Sequence, residues 1–291
     1  MLGMRILGVV AVGAAALLLS GCGAGGLRIS DDVPAERTPY TGPLVATPSA
    51  ADRRTPWEWP GAAGRVVSCS SAPRGQTVVG RNDEGAVAAD PQAAIEVKRG
   101  EGLFLSSPTD ALVRERDDGD RVLFTTSYDG VARQAIIVRD GPSGPGTGAK
   151  DGHGWYVESF ATCDLADFPE SVSRARGVQV WTDADGTRVP TSTVVSADGP
   201  AHCAWQSMTF LTLGDGTKDP VSYVARPLQE LGEYFDRPYR EHVRVPSDAR
   251  DTGWRREGRR IWIAADGRSA YVGAEDDAAA WPRPARPLGC A

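Results

Sequence analysis

The chain has 291 residues, a formal net charge of −6 and 41% apolar residues. Its acidic balance argues against a nucleic-acid partner, because a phosphate backbone is held by surplus Lys and Arg. Once an N-terminal leader is set aside, about 230 residues remain, enough for one large or two small domains.

Residues 1–5 carry one cation, Arg5, and residues 6–19 are mostly apolar. That run has the length of a signal-peptide hydrophobic region and falls short of the ~20 residues a spanning helix needs. Leu19-Ser20-Gly21-Cys22 closes it, two small residues and then a cysteine. This segment resembles the lipobox of bacterial lipoproteins. The resemblance implies that the Cys22 sulfur takes a diacylglyceryl group and that residues 1–21 leave as a signal peptide. Cys22 then becomes an acylated N-terminus of the palmitate type, at the extracytoplasmic face of the cell membrane. Two acyl chains hold a protein stably where one does not. The alternative is plain secretion, with cleavage after Ala24 and no lipid. Along its whole length the chain resembles secreted lipoproteins of GC-rich bacteria, a likeness that carries no catalytic residue.

Residues 22–56 hold Gly, Pro, Thr and Ser with few large apolar side chains. Such a composition buries little surface, so a flexible tether is expected there. An N-terminal α+β domain is expected over residues 57–173. Arg65-Val66-Val67-Ser68-Cys69 reads as a strand. Asp90-Pro91 reads as a helix cap followed by proline at the first helical position, with Gly100 as the stop. Residues 111–116, 121–128 and 131–139 read as three strands, turning at Asp118-Gly119 and Asp129-Gly130. After a Gly-rich loop, residues 155–163 read as a fourth strand. A β-rich C-terminal domain is expected over residues 174–291. Residues 178–182 turn at Asp185-Gly186 into residues 187–189. Residues 203–213 fit either a strand or a helix, and a short helix is expected near residues 228–234. Residues 259–264 and 269–273 form a hairpin about Asp266-Gly267. The fold class is therefore α+β and β-rich, a set of antiparallel hairpins and a meander with few short helices.

With Cys22 given to lipid, Cys69, Cys163, Cys203 and Cys290 remain, an even number suited to an oxidising compartment. Of three pairings, Cys69–Cys163 and Cys203–Cys290 are favoured, because each closes one half of the chain. Four buried free thiols are the alternative. No metal site is expected, since His202-Cys203 stands without a second spaced pair.

No catalytic set stands out. The loop of residues 141–154 contains Lys150 but lacks the Gly-Lys-Ser/Thr order and the following helix of a phosphate loop. His153, His202 and His242 have no G-x-S-x-G partner for nucleophilic catalysis. Asp164, Asp167 and Glu170, like Glu275, Asp276 and Asp277, read as solvated acidic surface rather than the facing carboxylates of a glycosidase. Asp183-Ala184-Asp185-Gly186 lacks the distal Glu of a calcium loop and reads as a turn. Of eight tryptophans, Trp155, Trp181, Trp205, Trp254 and Trp262 sit in or beside strand-like segments and are read first as core; the functional version is an aromatic wall for a glycan or another apolar ligand. Arg255-Arg256 and Arg259-Arg260 read as solvated arginines about a turn, with anionic lipid headgroups as the other option. The expectation is a membrane-anchored, non-enzymatic binding or accessory module of the cell envelope, with no cofactor and an envelope protein or glycan as partner. A hydrolase acting on envelope glycan and a tethered regulator of a membrane protein are the alternatives.

Overall fold

A computed structural model describes residues 29–33, 35–55, 58–77, 87–100, 112–142, 153–214 and 220–290. The lipobox with Cys22, Trp57 and Lys150 lie outside the described residues.

The strands are β1 (Ile29–Ser30), β2 (Arg74–Thr77), β3 (Leu112–Asp117), β4 (Arg121–Tyr128), β5 (Val131–Pro142), β6 (His153–Thr162), β7 (Val178–Val180), β8 (Val194–Asp198), β9 (Thr209–Leu213), β10 (Val221–Ala225), β11 (Arg240–Val243), β12 (Arg250–Arg256), β13 (Arg259–Ile263), β14 (Ser269–Gly273) and β15 (Ala278–Pro282). Two α-helices join them, α1 (Pro91–Gly100) and α2 (Glu170–Ala175). The strands make three sheets, ordered β1-β3-β4-β5-β6-β2, β10-β9-β8-β7 and β11-β15-β14-β13-β12. All strand pairs are antiparallel except β1 with β3. The protein is therefore β-rich, with antiparallel hairpins, a meander over β3 to β6 and few helices.

Alternation along β4 and β5 builds a core on each side of the first sheet. Val122, Phe124, Ile136 and Val138 meet Ala94 and Ile95 of α1 on one face. Leu123, Ala135 and Ile137 meet Leu44, Ala62 and Ala63 on the other. The helix begins where the sequence says it should: the Asp90 carboxylate accepts from the Ala93 amide at 2.8 Å. At Asp129-Gly130 both residues have positive φ, 50° and 73°, the twist a two-residue hairpin needs. The second and third sheets share one core, in which Trp181, Leu211, Tyr223, Ile261, Val272 and Trp281 pack together.

Several expectations need correction. The stretch expected as a tether is tied to the fold at several described points: β1 pairs with β3, and Leu44 and Arg37 are buried. Its composition hides this, because its main anchor is a charged side chain whose partner, Glu115, lies 78 residues away. Arg65-Val66-Val67-Ser68-Cys69 is not a strand. A 3-10 turn over Ala63–Arg65 opens it, which puts Ala62, Ala63 and Val66 into the core on one side. At Asp185-Gly186 the chain does turn, with the Val189 amide bonded to the Trp181 carbonyl at 2.8 Å, but β7 takes β8 as its ladder partner. Residues 203–213 divide: a 3-10 turn over Ala201–Cys203 precedes β9. The boundary drawn between residues 173 and 174 falls inside α2.

Candidate functional site

The residues singled out from sequence take mostly structural places. Cys69 is bonded to Cys163, and Cys203 to Cys290, with Cα atoms 5.2 and 5.3 Å apart. These are the two favoured pairs, and disulfides fit a compartment outside the cytoplasm. Among the described residues no helix is long and apolar enough to cross a membrane. Two groups bring three candidate metal ligands within 4.8 Å of one another, His202 with Cys203 and Cys290, and Asp167 with Cys69 and Cys163. In each, two of the three are disulfide sulfurs, which lack the thiolate charge that binds zinc.

The acidic cluster after Cys163 is not a solvated face. Asp164 is buried and accepts from the Ala166 amide at 2.9 Å, the Thr191 amide at 2.8 Å and the Thr191 hydroxyl at 2.7 Å. Asp167 accepts from the Ser70 amide at 3.1 Å and lies 3.6 Å from Arg133. Glu170 binds Arg256 at 2.7 Å and Arg174 at 3.2 Å, and those arginine bonds hold its carboxyl below the usual range. Asp277 faces His242 at 2.8 Å, and that bond raises the imidazole pKa. Asp183 caps its own turn, accepting from the amides of Asp185 and Thr187, each at 2.9 Å. Arg255 and Arg260 both bind Asp251, so this arginine group is held by carboxylates instead of being freely solvated. His153 opens β6 and is exposed.

The tryptophans are mainly core. Trp181, Trp262 and Trp281 are buried, and Trp181 donates from Nε1 to the Ser196 hydroxyl at 2.9 Å. Trp205 is buried as well, and it also borders a cleft of about 630 Å³, a volume in the range of small-molecule sites.

Three segments build that cleft. The first is the end of β8 and the loop after it, with Asp198, Pro200 and Trp205; the second is β9 and the edge strand β10, with Phe210, Val221 and Ser222; the third is the tail from Arg283 to Leu288. Local bonds fix the loop: the Gly199 amide reaches the Met208 carbonyl at 3.0 Å, and the Met208 amide reaches the Trp205 carbonyl at 2.9 Å. Gly199 is required here, since a Cβ would run into the Trp205 carbonyl. Ala204 turns the chain in the left-handed region at φ 58°, a conformation that an L-residue adopts at some cost. The Trp205 and Phe210 rings stack at 6.1 Å with 24° between planes.

The tail is held at several points. The Ala285 amide donates to the Tyr234 carbonyl at 2.8 Å. Leu288 packs beside Trp205, Met208, Leu231 and Phe235. Cys290 is bonded to Cys203 in the loop opposite. Prolines at 200, 220, 284 and 287 stiffen both walls. Arg286 lies 3.2 Å from Glu233 and 4.2 Å over the Tyr234 ring. Arg283 and Asp198 also line the cleft, and neither side chain forms an ion pair among the described residues. Sequence reading named Trp205 and the Cys203–Cys290 pair but missed Arg283, Arg286, Phe210 and Asp198. The available signal was the proline-spaced tail, Trp281-Pro282-Arg283-Pro284, ending in a cysteine that has to be tied somewhere. The chain matches no protein-family model, no curated protein and no solved structure.

Proposed function

We propose that this protein is a lipoprotein, anchored through Cys22 at the extracytoplasmic face of the cell membrane, whose tail cleft binds a component of the cell envelope. The observation that carries the reading is the cleft itself: an open concavity with Phe210 in its wall, backed by the buried Trp205 ring, whose far wall is a tail tied down by a disulfide. Preformed, mostly apolar concavities with a few polar groups are where small ligands bind. A wall stiffened by proline and a cross-link loses little entropy on binding. The anchor is supported by the lipobox resemblance and by disulfides that fit an oxidising compartment. Because Ile29 is already paired in β1, an anchor at Cys22 would leave a reach of at most about 25 Å to the membrane surface, so the ligand sought is one found close to the membrane.

Two experiments test this. Cells fed labelled palmitate should label the protein and hold it in the membrane fraction, and Cys22→Ser should lose the label. Full chain in lipid nanodiscs should capture an envelope component that Ala285→Trp, an exposed position on the cleft wall, fails to retain. Equal capture by both forms would reject the cleft as the site. Turnover of an envelope glycan, lost in the same variant, would instead favour the hydrolase.

A further inference from the structure

We infer that the tail cleft takes an anionic saccharide, a pyranose bearing a carboxylate or a phosphate, with Arg283 as its anion contact. The inference rests on the cleft being the ligand site. The chain as a whole is acidic, at −6, yet the cleft is lined by two guanidinium groups and one carboxylate. Arg286 already has Glu233 at 3.2 Å and the Tyr234 ring at 4.2 Å. Arg283 is exposed, and among the described residues its guanidinium has neither hydrogen-bond acceptor nor ion-pair partner. Arg237, Arg255, Arg256, Arg260 and Arg268 near the third sheet all sit against carboxylates; among the described residues Arg240, Arg244 and Arg250 do not, but they lie outside the cleft lining. A guanidinium fork matches carboxylate and phosphate oxygens with two parallel bonds.

The remaining surface fits a sugar ring. Phe210 and four prolines offer flat apolar faces to the C–H side of a pyranose, with the buried Trp205 ring stacked against Phe210 as its support. Asp198 and Ser222 offer oxygen acceptors to its hydroxyls. Ser222 already shares one bond with Thr212 at 3.0 Å, and a hydroxyl has two lone pairs and one proton, so it retains capacity. A neutral sugar meets the apolar faces and Asp198 but leaves Arg283 unmatched. An anionic lipid headgroup without a ring uses Arg283 but leaves the apolar wall empty.

The test uses the full chain in nanodiscs, titrated by calorimetry against empty nanodiscs. The probes are tetragalacturonate, maltose 1-phosphate and neutral maltotetraose. The two anionic probes separate carboxylate from phosphate. At least one should bind ten-fold or more tightly than maltotetraose, and the gap should narrow as salt is raised. Arg283→Gln should bring that probe to within about two-fold of the neutral one. Phe210→Leu should weaken charged and neutral probes alike. Equal affinity for charged and neutral probes, an Arg283→Gln variant that binds like wild type, or no binding of either anionic probe at millimolar concentration would each overturn the inference. If envelope capture is still lost in Ala285→Trp, those outcomes reject only the anionic saccharide and leave the cleft standing. If capture is unaffected by Ala285→Trp, the cleft reading falls as well.

Discussion

Arg37 and Glu115 form a buried ion pair, with Nη1 and Oε2 2.5 Å apart and side chains 5% and 0% exposed. Glu115 also accepts from the Tyr40 amide at 2.6 Å and from the Thr125 hydroxyl at 2.7 Å, while Arg37 donates to Thr125 at 2.6 Å and to Ser127 at 2.9 Å. Burial lowers the Arg37 pKa, and Glu115 only partly restores it. This network straps the N-terminal segment across β3 and β4. Removing one partner leaves a buried charge and orphaned donors, so Arg37→Ala or Glu115→Ala should cost about 3–5 kcal/mol. Replacing both with Met should cost less than either single change, because no charge is then left inside. Urea unfolding of the four proteins measures this. A double variant as unstable as the sum of the singles would reject the pair as a coupled unit.

Gly199 carries the next prediction. A methyl group there meets the Trp205 carbonyl, which is backbone and cannot swing away. Gly199→Ala should therefore cost about 1–3 kcal/mol and shift the loop that seats Trp205. Ligand affinity should fall even at temperatures where the variant is fully folded. A variant with wild-type stability and affinity would show that the loop has room that the structure does not show.

How much of this was legible in advance depended on how local each cause is. The turns at Asp118-Gly119, Asp129-Gly130 and Asp266-Gly267, and the Asp90 cap of α1, are written in neighbouring residues, and the structure forms them all. The pairing of Cys203 with Cys290 followed from letting each bridge close one half of the chain, and the structure forms it. The strap at Arg37 was not legible, because a buried Arg looks like a solvated one until its distant Glu is found. Nor was the cleft. Its walls come from residues 198–210, 220–222 and 283–288, and a proline-rich tail reads as loose chain until Leu288 and Cys290 tie it down. The Asp164 cluster was misread for the same reason: Thr191, which buries it, is 27 residues on.

Asp251 gives a pH-dependent prediction. Burial alone would raise its carboxyl, but bonds from Arg255, the Gly253 amide and Arg260 outweigh that and hold it down to about 2. The ordinary Asp value is about 3.9. A group depressed on folding adds stability above its unfolded pKa and loses it as pH falls through the folded one. Asp251 is 31% exposed, so with solvent screening the contribution at neutral pH is about 1–2 kcal/mol. Asp251→Asn should be less stable than wild type by that amount at pH 7. The difference should fade between about pH 4 and pH 2. A constant difference across that range would show that Asp251 acts through shape and not through charge.

The two disulfides should differ in their response to reductant. Cys163 is 4% exposed and its bridge packs with Phe168, Val172 and Tyr128. Cys290 is exposed and Cys203 half-buried, and thiol–disulfide exchange requires a thiolate to reach a sulfur. Millimolar glutathione should therefore open Cys203–Cys290 first, read by alkylation and peptide mass. Opening it frees the end of the tail while Ala285 keeps its bond to Tyr234, so the cleft should loosen without global unfolding. Chain-entropy reasoning gives a bridge that closes so long a loop about 4–5 kcal/mol. Cys203→Ala with Cys290→Ala should lower both Tm and ligand affinity. Cys69→Ala with Cys163→Ala should lower Tm at least as much, yet leave the affinity of the folded fraction unchanged. If the two double variants lose affinity equally, the tail is not what shapes the cleft.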